Sequence, residues 1–185
     1  MNTHCMIDLE TLDTSPTALV LTVGAVRFNP YEIQSKDDVD TLYLKIDVDS
    51  CEPFGLTVSD DTLEWWAKQK PEAIEDAFSN SNRTHIKDAM DELYKFCWGC
   101  KAVWSNGAGF DIVILENIFK KLQKKTPWDY WSVRDVRTIL NLGFTPQRLS
   151  KSEYTAHNAL DDAYAQTVSV QSIFCQLKEL RLEQM

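Results

Sequence analysis

Apolar residues in this chain first fall into short dense runs, and later into stretches spaced three and four apart. The first run, Cys5-Met6-Ile7, leads into Asp8-Leu9-Glu10, where polar and apolar residues alternate. Alternation with period two predicts a strand, with Asp8 and Glu10 on one side and Leu9 on the other. Thr14 to Thr17, with Pro16 inside, reads as a turn. Ala18 to Phe28 is rich in β-branched residues and closes at Asn29-Pro30, which predicts a second strand. Tyr43 to Val48 alternates well enough for a third. Short connections make an antiparallel meander the simplest arrangement of these three.

From Asp60 onward the period changes. Asp60-Asp61-Thr62 has the character of a helix start, with Leu63 to Trp66 behind it. Pro71-Glu72 opens a second helix, ended by the Ser/Asn cluster 79–82. Between Thr84 and Trp98, the residues Ile86, Ala89, Met90, Leu93, Tyr94 and Cys97 recur at helical spacing. Ala102 to Trp104 predicts a buried strand, and Phe110 to Leu122 a helix. A fifth, short strand is expected over Trp128–Trp131, then a helix over Val133–Leu142 stopped by Gly143. A final helix is expected from His157 to Leu182. No repeat or linker interrupts the series, so one domain over residues 1–185 is expected. Strands first, then strands alternating with helices, predict an α/β fold with a mixed sheet flanked by helices.

Composition changes this picture in three places. The net charge of −9 argues against coating long duplex DNA by charge neutralisation. It leaves room for an enzyme gripping one strand end, where metal ions supply positive charge locally. No apolar run approaches the roughly 18–20 residues that span a bilayer, and the N-terminus lacks a leader pattern, so a cytoplasmic protein is expected. The five cysteines are odd in number and irregularly spaced, against a disulfide framework. Cys97 and Cys100 form a C-x-x-C without a second pair, which argues against zinc or redox chemistry.

Candidate chemistry begins with Asp8 and Glu10. Two like charges on one strand face repel, and a hard divalent ion between them reverses that cost. A solvated strand end is the alternative. Asp111 follows the glycine-containing loop Ser105 to Gly109 at a predicted helix start, where capping would also explain it. His157 stands four and five residues before Asp161 and Asp162, on adjoining faces if all three are helical. His4 and His85 have no such acidic setting and read as cap or surface groups.

Together, Asp8-x-Glu10, Asp111 and His157-x-x-x-x-Asp162 form a pattern in a fixed order. It resembles the DEDDh (DnaQ-like) superfamily of 3'-5' exonucleases over nearly the whole chain. The motifs are Asp8-Leu9-Glu10-Thr11, then Asn106 through Phe110-Asp111, then His157 through Asp162. The stretches Thr62–Ala73 and Trp131–Thr138 are similar to phage DexA-type and exodeoxyribonuclease VIII-like exonucleases. Ser105-Asn106 stands where the wider family often has histidine-asparagine.

The resemblance implies a ribonuclease H-like fold with a mixed five-stranded sheet, its first three strands antiparallel. It implies hydrolysis of single-stranded DNA or RNA 3' ends to 5'-mononucleotides, with two Mg²⁺ ions, replaceable by Mn²⁺. Asp8, Glu10, Asp111 and Asp162 would be the metal ligands, Asp8 bridging, and His157 the general base. Spacing selects Asp162 over Asp161 as the last acid. Thr11, Leu12, Trp66, Asn106 and Phe110 are candidate substrate contacts, with the Trp65–Trp66 pair offered for base stacking and core packing as its alternative. Arg134 and Arg137 suit phosphate, or pairing with Asp135 or a helix end, the reading preferred here. Lys120, Lys121, Lys124 and Lys125 read as a solvated helix end. A homodimer is compatible with the resemblance, and a phage origin would place the protein in the host cytoplasm. The rival readings are a non-catalytic nucleic-acid-binding module and a nucleotide phosphohydrolase.

Overall fold

A computed structural model describes residues 1–150 and 154–183. The chain runs β1 (His4–Thr11), β2 (Val20–Phe28), β3 (Asp40–Ile46), α1 (Asp60–Trp66), α2 (Pro71–Phe78) and β4 (Arg83–Thr84). It continues with α3 (Ile86–Cys97), β5 (Ala102–Ser105), α4 (Asp111–Lys121), β6 (Val133–Asp135), α5 (Val136–Leu140) and α6 (Ala159–Glu183). One sheet takes the order β4-β3-β2-β1-β5-β6. The β1–β2 and β2–β3 pairs are antiparallel, as expected, and the other three pairs are parallel.

Alternation along β1 separates two cores. Cys5, Ile7 and Leu9 pack with α3 and α4, through residues such as Leu93, Ile112 and Leu115. Met6 faces the other way, against Ala163, Tyr164 and Val168 of α6 and Val136 of α5. Asp8 and Glu10 continue the Met6 side of the strand, toward α6. The sequence pattern therefore carries directly into which layer each acid meets.

Among the described residues six strands form where five were expected. The additional strand, β4, is two residues long, paired with Lys45 and Ile46 of β3. Its hold comes from the Arg83 guanidinium, which donates to Ile46 O at 2.6 Å and Ala77 O at 2.8 Å. Two residues show no period to read. Trp128–Trp131 is not a strand; Tyr130–Ser132 forms a 3₁₀ turn, and the strand is β6, over residues assigned to a helix. The reason lies in Asp135, whose carboxylate accepts from Arg137 N at 2.8 Å and so starts α5 only after the strand has paired with β5. Among the described residues, no helix is long and apolar enough to cross a membrane.

Candidate active site

Three elements deliver the acids. β1 places Asp8 and Glu10 next to a register irregularity between Glu10 and Thr11. After β5 the chain turns through Gly107, whose φ of 121° suits glycine, and Phe110 N donates to Gly107 O at 2.7 Å. That turn starts α4 at Asp111. Asp111 Oδ1 accepts from Leu9 N at 3.2 Å, so the second motif is tied to the strand of the first. From α6, Gln166 Nε2 donates to Asp8 Oδ1 at 2.7 Å.

His157 lies ahead of α6, not in it. The expected helix start is therefore corrected from His157 to Ala159. His157 has a left-handed backbone with φ 65°, and its N–H donates to Asp162 Oδ2 at 2.7 Å. Asn158 supplies the helix start instead, its Oδ1 accepting from Leu160 N and Asp161 N at 3.1 and 3.0 Å. Ligand-capable atoms of Glu10, His157 and Asp162 all lie within 4.8 Å of one another. The His157 ring meets Trp65 edge-on, with centroids 4.9 Å apart.

Electrostatics mark the cluster as short of positive charge. Burial, reinforced by Asp111, Glu10 and Asp162, pushes the Asp8 carboxyl well above the usual range, against the Gln166 hydrogen bond. Burial pushes Glu10 up to about 8, helped by Asp162, Asp111 and Asp76. Burial also raises Asp111 to about 7, although backbone N–H groups and Arg137 oppose it. Asp162 is raised by burial too, with His157 opposing. Four crowded carboxylates with hard oxygen donors, each costly to ionise alone, fit divalent cations.

Two clefts flank the acids. One, of about 420 Å³, is lined by Leu9, Glu10, Thr11, Thr62, Trp65 and Phe110 among others. The other, of about 340 Å³, is lined by Asn106, Arg148, Tyr154, Asp162, Gln166 and Ser169 among others. Thr11 and Phe110 line the first cleft and Asn106 the second. Leu12 is buried in the core. Trp66 is a correction: it is 2% exposed and its Nε1 donates to Thr11 O at 2.9 Å, so its ring has no free face for a base. Trp65, 42% exposed, is the tryptophan that lines the cleft.

The remaining expectations divide. Asp161 is occupied by Lys36 Nζ at 2.7 Å and Thr155 N at 2.9 Å. Arg134 donates to Trp131 O and Val133 O. The Arg137 guanidinium lies against Gly107, close enough to act on Asp111, while the Asp135 carboxylate accepts backbone N–H groups of Ala108 and Arg137. Lys121 donates to Phe54 O, and Lys124 pairs with Asp91 at 2.6 Å, which fits a helix end. Gln166 went unread in the sequence. Its position four residues after Asp162, hence on the same helix face, is the signal that points to it.

Comparison with known proteins agrees with this geometry. Residues 3–174 match the 3'-5' exoribonuclease Rv2179c-like domain family. An exodeoxyribonuclease of Enterobacteria phage T4 is 24% identical over 188 residues, covering 85% of this chain and 82% of the phage protein. Cell-death related nuclease 4 superposes with a TM-score of 0.56 at 13% identity; the alignment covers 97% of this chain but only 64% of that one. The nuclease domain of 3'hExo, a DEDDh family member bound to rAMP, gives a TM-score of 0.54 at 15% identity, covering 95% of this chain and 92% of that domain. With the sheet order, the acid cluster and a family match over nearly its whole length, the chain belongs to the 3'-5' exoribonuclease Rv2179c-like domain family and is a 3'-5' exonuclease of the DEDDh type.

Proposed function

We propose that this exonuclease removes 5'-mononucleotides one at a time from unpaired 3' ends, using two Mg²⁺ ions and His157 as general base. The observation that carries the proposal is the convergence of Asp8, Glu10, Asp111 and Asp162, with Glu10 raised to about 8 by burial and its acidic neighbours. Such a set is stable in its ionised form only beside cations. The DEDDh type already implies divalent metal dependence; the number and identity of the ions are part of the proposal. When bound, the ions supply charge to activate the attacking water and to stabilise the departing 3'-oxygen.

The chain's own residues do the rest. The four carboxylates hold the cations, and Gln166 keeps Asp8 Oδ1 oriented. An imidazole nitrogen of His157 takes the proton of the attacking water, and the Trp65 edge fixes the ring plane. The cleft of Leu9, Thr11, Trp65 and Phe110 receives the terminal base, which a paired strand could not insert. Arg137, beside Gly107, meets the backbone phosphate. The family description names an exoribonuclease and the phage relative an exodeoxyribonuclease, so both sugars are carried as substrates of this proposal. Localisation in the cytoplasm and action as one domain belong to it as well.

Matched 5'-labelled RNA and DNA single strands, incubated with Mg²⁺, test the reading. A descending ladder with released 5'-monophosphates is expected, abolished by chelator and by a blocked 3' end. Cleavage of a circular strand, or release of nucleosides with free phosphate, would contradict it.

A further inference from the structure

Asp76 sits on α2, outside the acid cluster, yet its carboxylate is fully engaged. Oδ2 accepts from Asn158 Nδ2 at 2.8 Å and from the Tyr43 hydroxyl; Oδ1 pairs with Lys45 Nζ at 2.8 Å. Tyr43 and Lys45 share one face of β3, so α2 and β3 fix this carboxylate from two sides. Among the described residues Asn158 is the other side chain it holds, and Asn158 is engaged at both ends. Its Oδ1 accepts from the first backbone N–H groups of α6, while its Nδ2 is held by Asp76. A single side-chain amide thus joins the α2–β3 corner to the start of the helix bearing Asp162.

The residue on the N-terminal side of Asn158 is His157, whose φ of 65° is unusual outside glycine. Such a backbone is strained and persists only where its surroundings enforce it. On one flank the enforcement is the His157 N–H bond to Asp162. On the other it is Asn158, whose turn closes through its N–H to Thr155 O at 3.1 Å and whose side chain is anchored to Asp76.

We propose that Asp76 and Asn158 form a positioning pair that sets His157 against Glu10 and Asp162. The inference rests on His157 being the general base. Neither residue touches substrate. Asp76 fixes Asn158, and Asn158 fixes both the left-handed turn at His157 and the first turn of α6. Loss of the link lets the imidazole drift while the fold and the clefts stay intact, so kcat falls and KM does not.

Side-chain exchange provides the test. Asn158→Asp keeps an oxygen for the helix start but sets a second carboxylate against Asp76, and like charges in contact repel. Its kcat should fall about thirtyfold to a hundredfold, the loss expected of a displacement near 1 Å. Asp76→Asn combined with Asn158→Asp restores one donor and one acceptor across the same gap, and kcat should return to within about threefold of wild type. Asn158→Ser caps the helix but is too short to reach Asp76; its melting temperature should hold while kcat falls. Failure of the exchange to rescue Asn158→Asp, or full activity of both Asn158 variants, overturns the proposal. If Asn158→Asp does not fold, the serine variant alone decides. His157→Ala run alongside keeps the two readings apart. A fully active His157→Ala ends the base assignment, whereas an inactive one beside active Asn158 variants ends only the positioning pair.

Discussion

Gly24→Ala is the mutation that most directly probes how the site is assembled. Gly24 lies opposite Asp8 in the β1–β2 register, and the start of α6 crosses directly over it. A methyl group there would stand 2.1 Å from the Ala159 carbonyl carbon, 2.2 Å from its oxygen and 2.3 Å from Leu160 N. All three are backbone atoms, so no rotamer change relieves the clash. Reaching an ordinary contact of about 3.5 Å requires α6 to move outward by roughly 1.4 Å. Gly24 itself cannot recede, because β2 is held on both sides by β1 and β3. Overpacking of this kind costs about 1–3 kcal/mol, and for a domain of this size each kcal/mol lowers Tm by about 2–4 °C. The motion carries Asp162 and Gln166 away from Asp8, and a misplacement near 1 Å costs about 10²-fold in rate. Gly24→Ala should therefore melt several degrees lower and, well below its Tm, cleave about a hundredfold more slowly at saturating Mg²⁺. Melting and cleavage equal to wild type would refute the close seating of α6 on Gly24.

Three further outcomes follow from the same geometry. The folded chain binds protons at Glu10 and Asp111 more tightly than the unfolded chain does, so in chelator their contribution to stability is lost as pH rises from the ordinary carboxylate range near 4 through about 7 and 8. Thermal melts in chelator should show a higher midpoint at pH 5 than at pH 8, and Mg²⁺ should raise the pH 8 midpoint; the reverse order would contradict the cost of ionising these buried carboxylates, to which the acidic neighbours of Glu10 add. Trp66→Ala should cost about 3–5 kcal/mol of stability, because a buried ring is lost and Thr11 O loses its donor, whereas Trp65→Ala should keep its melting midpoint and lose activity. Asp162→Asn should lower the rate by orders of magnitude, and Asp161→Asn by less than about tenfold, since Asp161 serves Lys36 and Thr155 N; kinetics of the two variants side by side decide it.

Much of this arrangement could be read from residue pattern, for physical reasons. Alternation at Cys5 through Glu10 needs no partner to be interpreted, because side-chain direction in a strand depends only on position. It puts Asp8 and Glu10 on one face whatever the strand packs against. The resemblance carried by the three acidic motifs, rather than any spacing, implies that Asp111 and Asp162 join the same cluster. What could not be read depends on distant partners. Asp162 does approach His157, but through a left-handed turn and an N–H bond rather than along one helix face, and no periodicity announces such a turn. Trp65 and Trp66 are adjacent and chemically identical; only the Thr11 carbonyl and the cleft beyond it decide which is buried. Gly24 gave the same lesson. Inside a β-branched run it marks close backbone approach in general, but that the approaching backbone is Ala159 follows only from the fold.

The central claim is that the four carboxylates form a cation site in which His157 has a different task. Calorimetric titration of Mn²⁺ into the wild-type chain, Asp162→Asn and His157→Ala, with a 5'-mononucleotide present, addresses it in one experiment. Wild type and His157→Ala should each take up two ions, although only wild type cleaves; Asp162→Asn should lose at least one. Unchanged binding in Asp162→Asn, or no binding to the wild-type chain at millimolar Mn²⁺, would contradict the account.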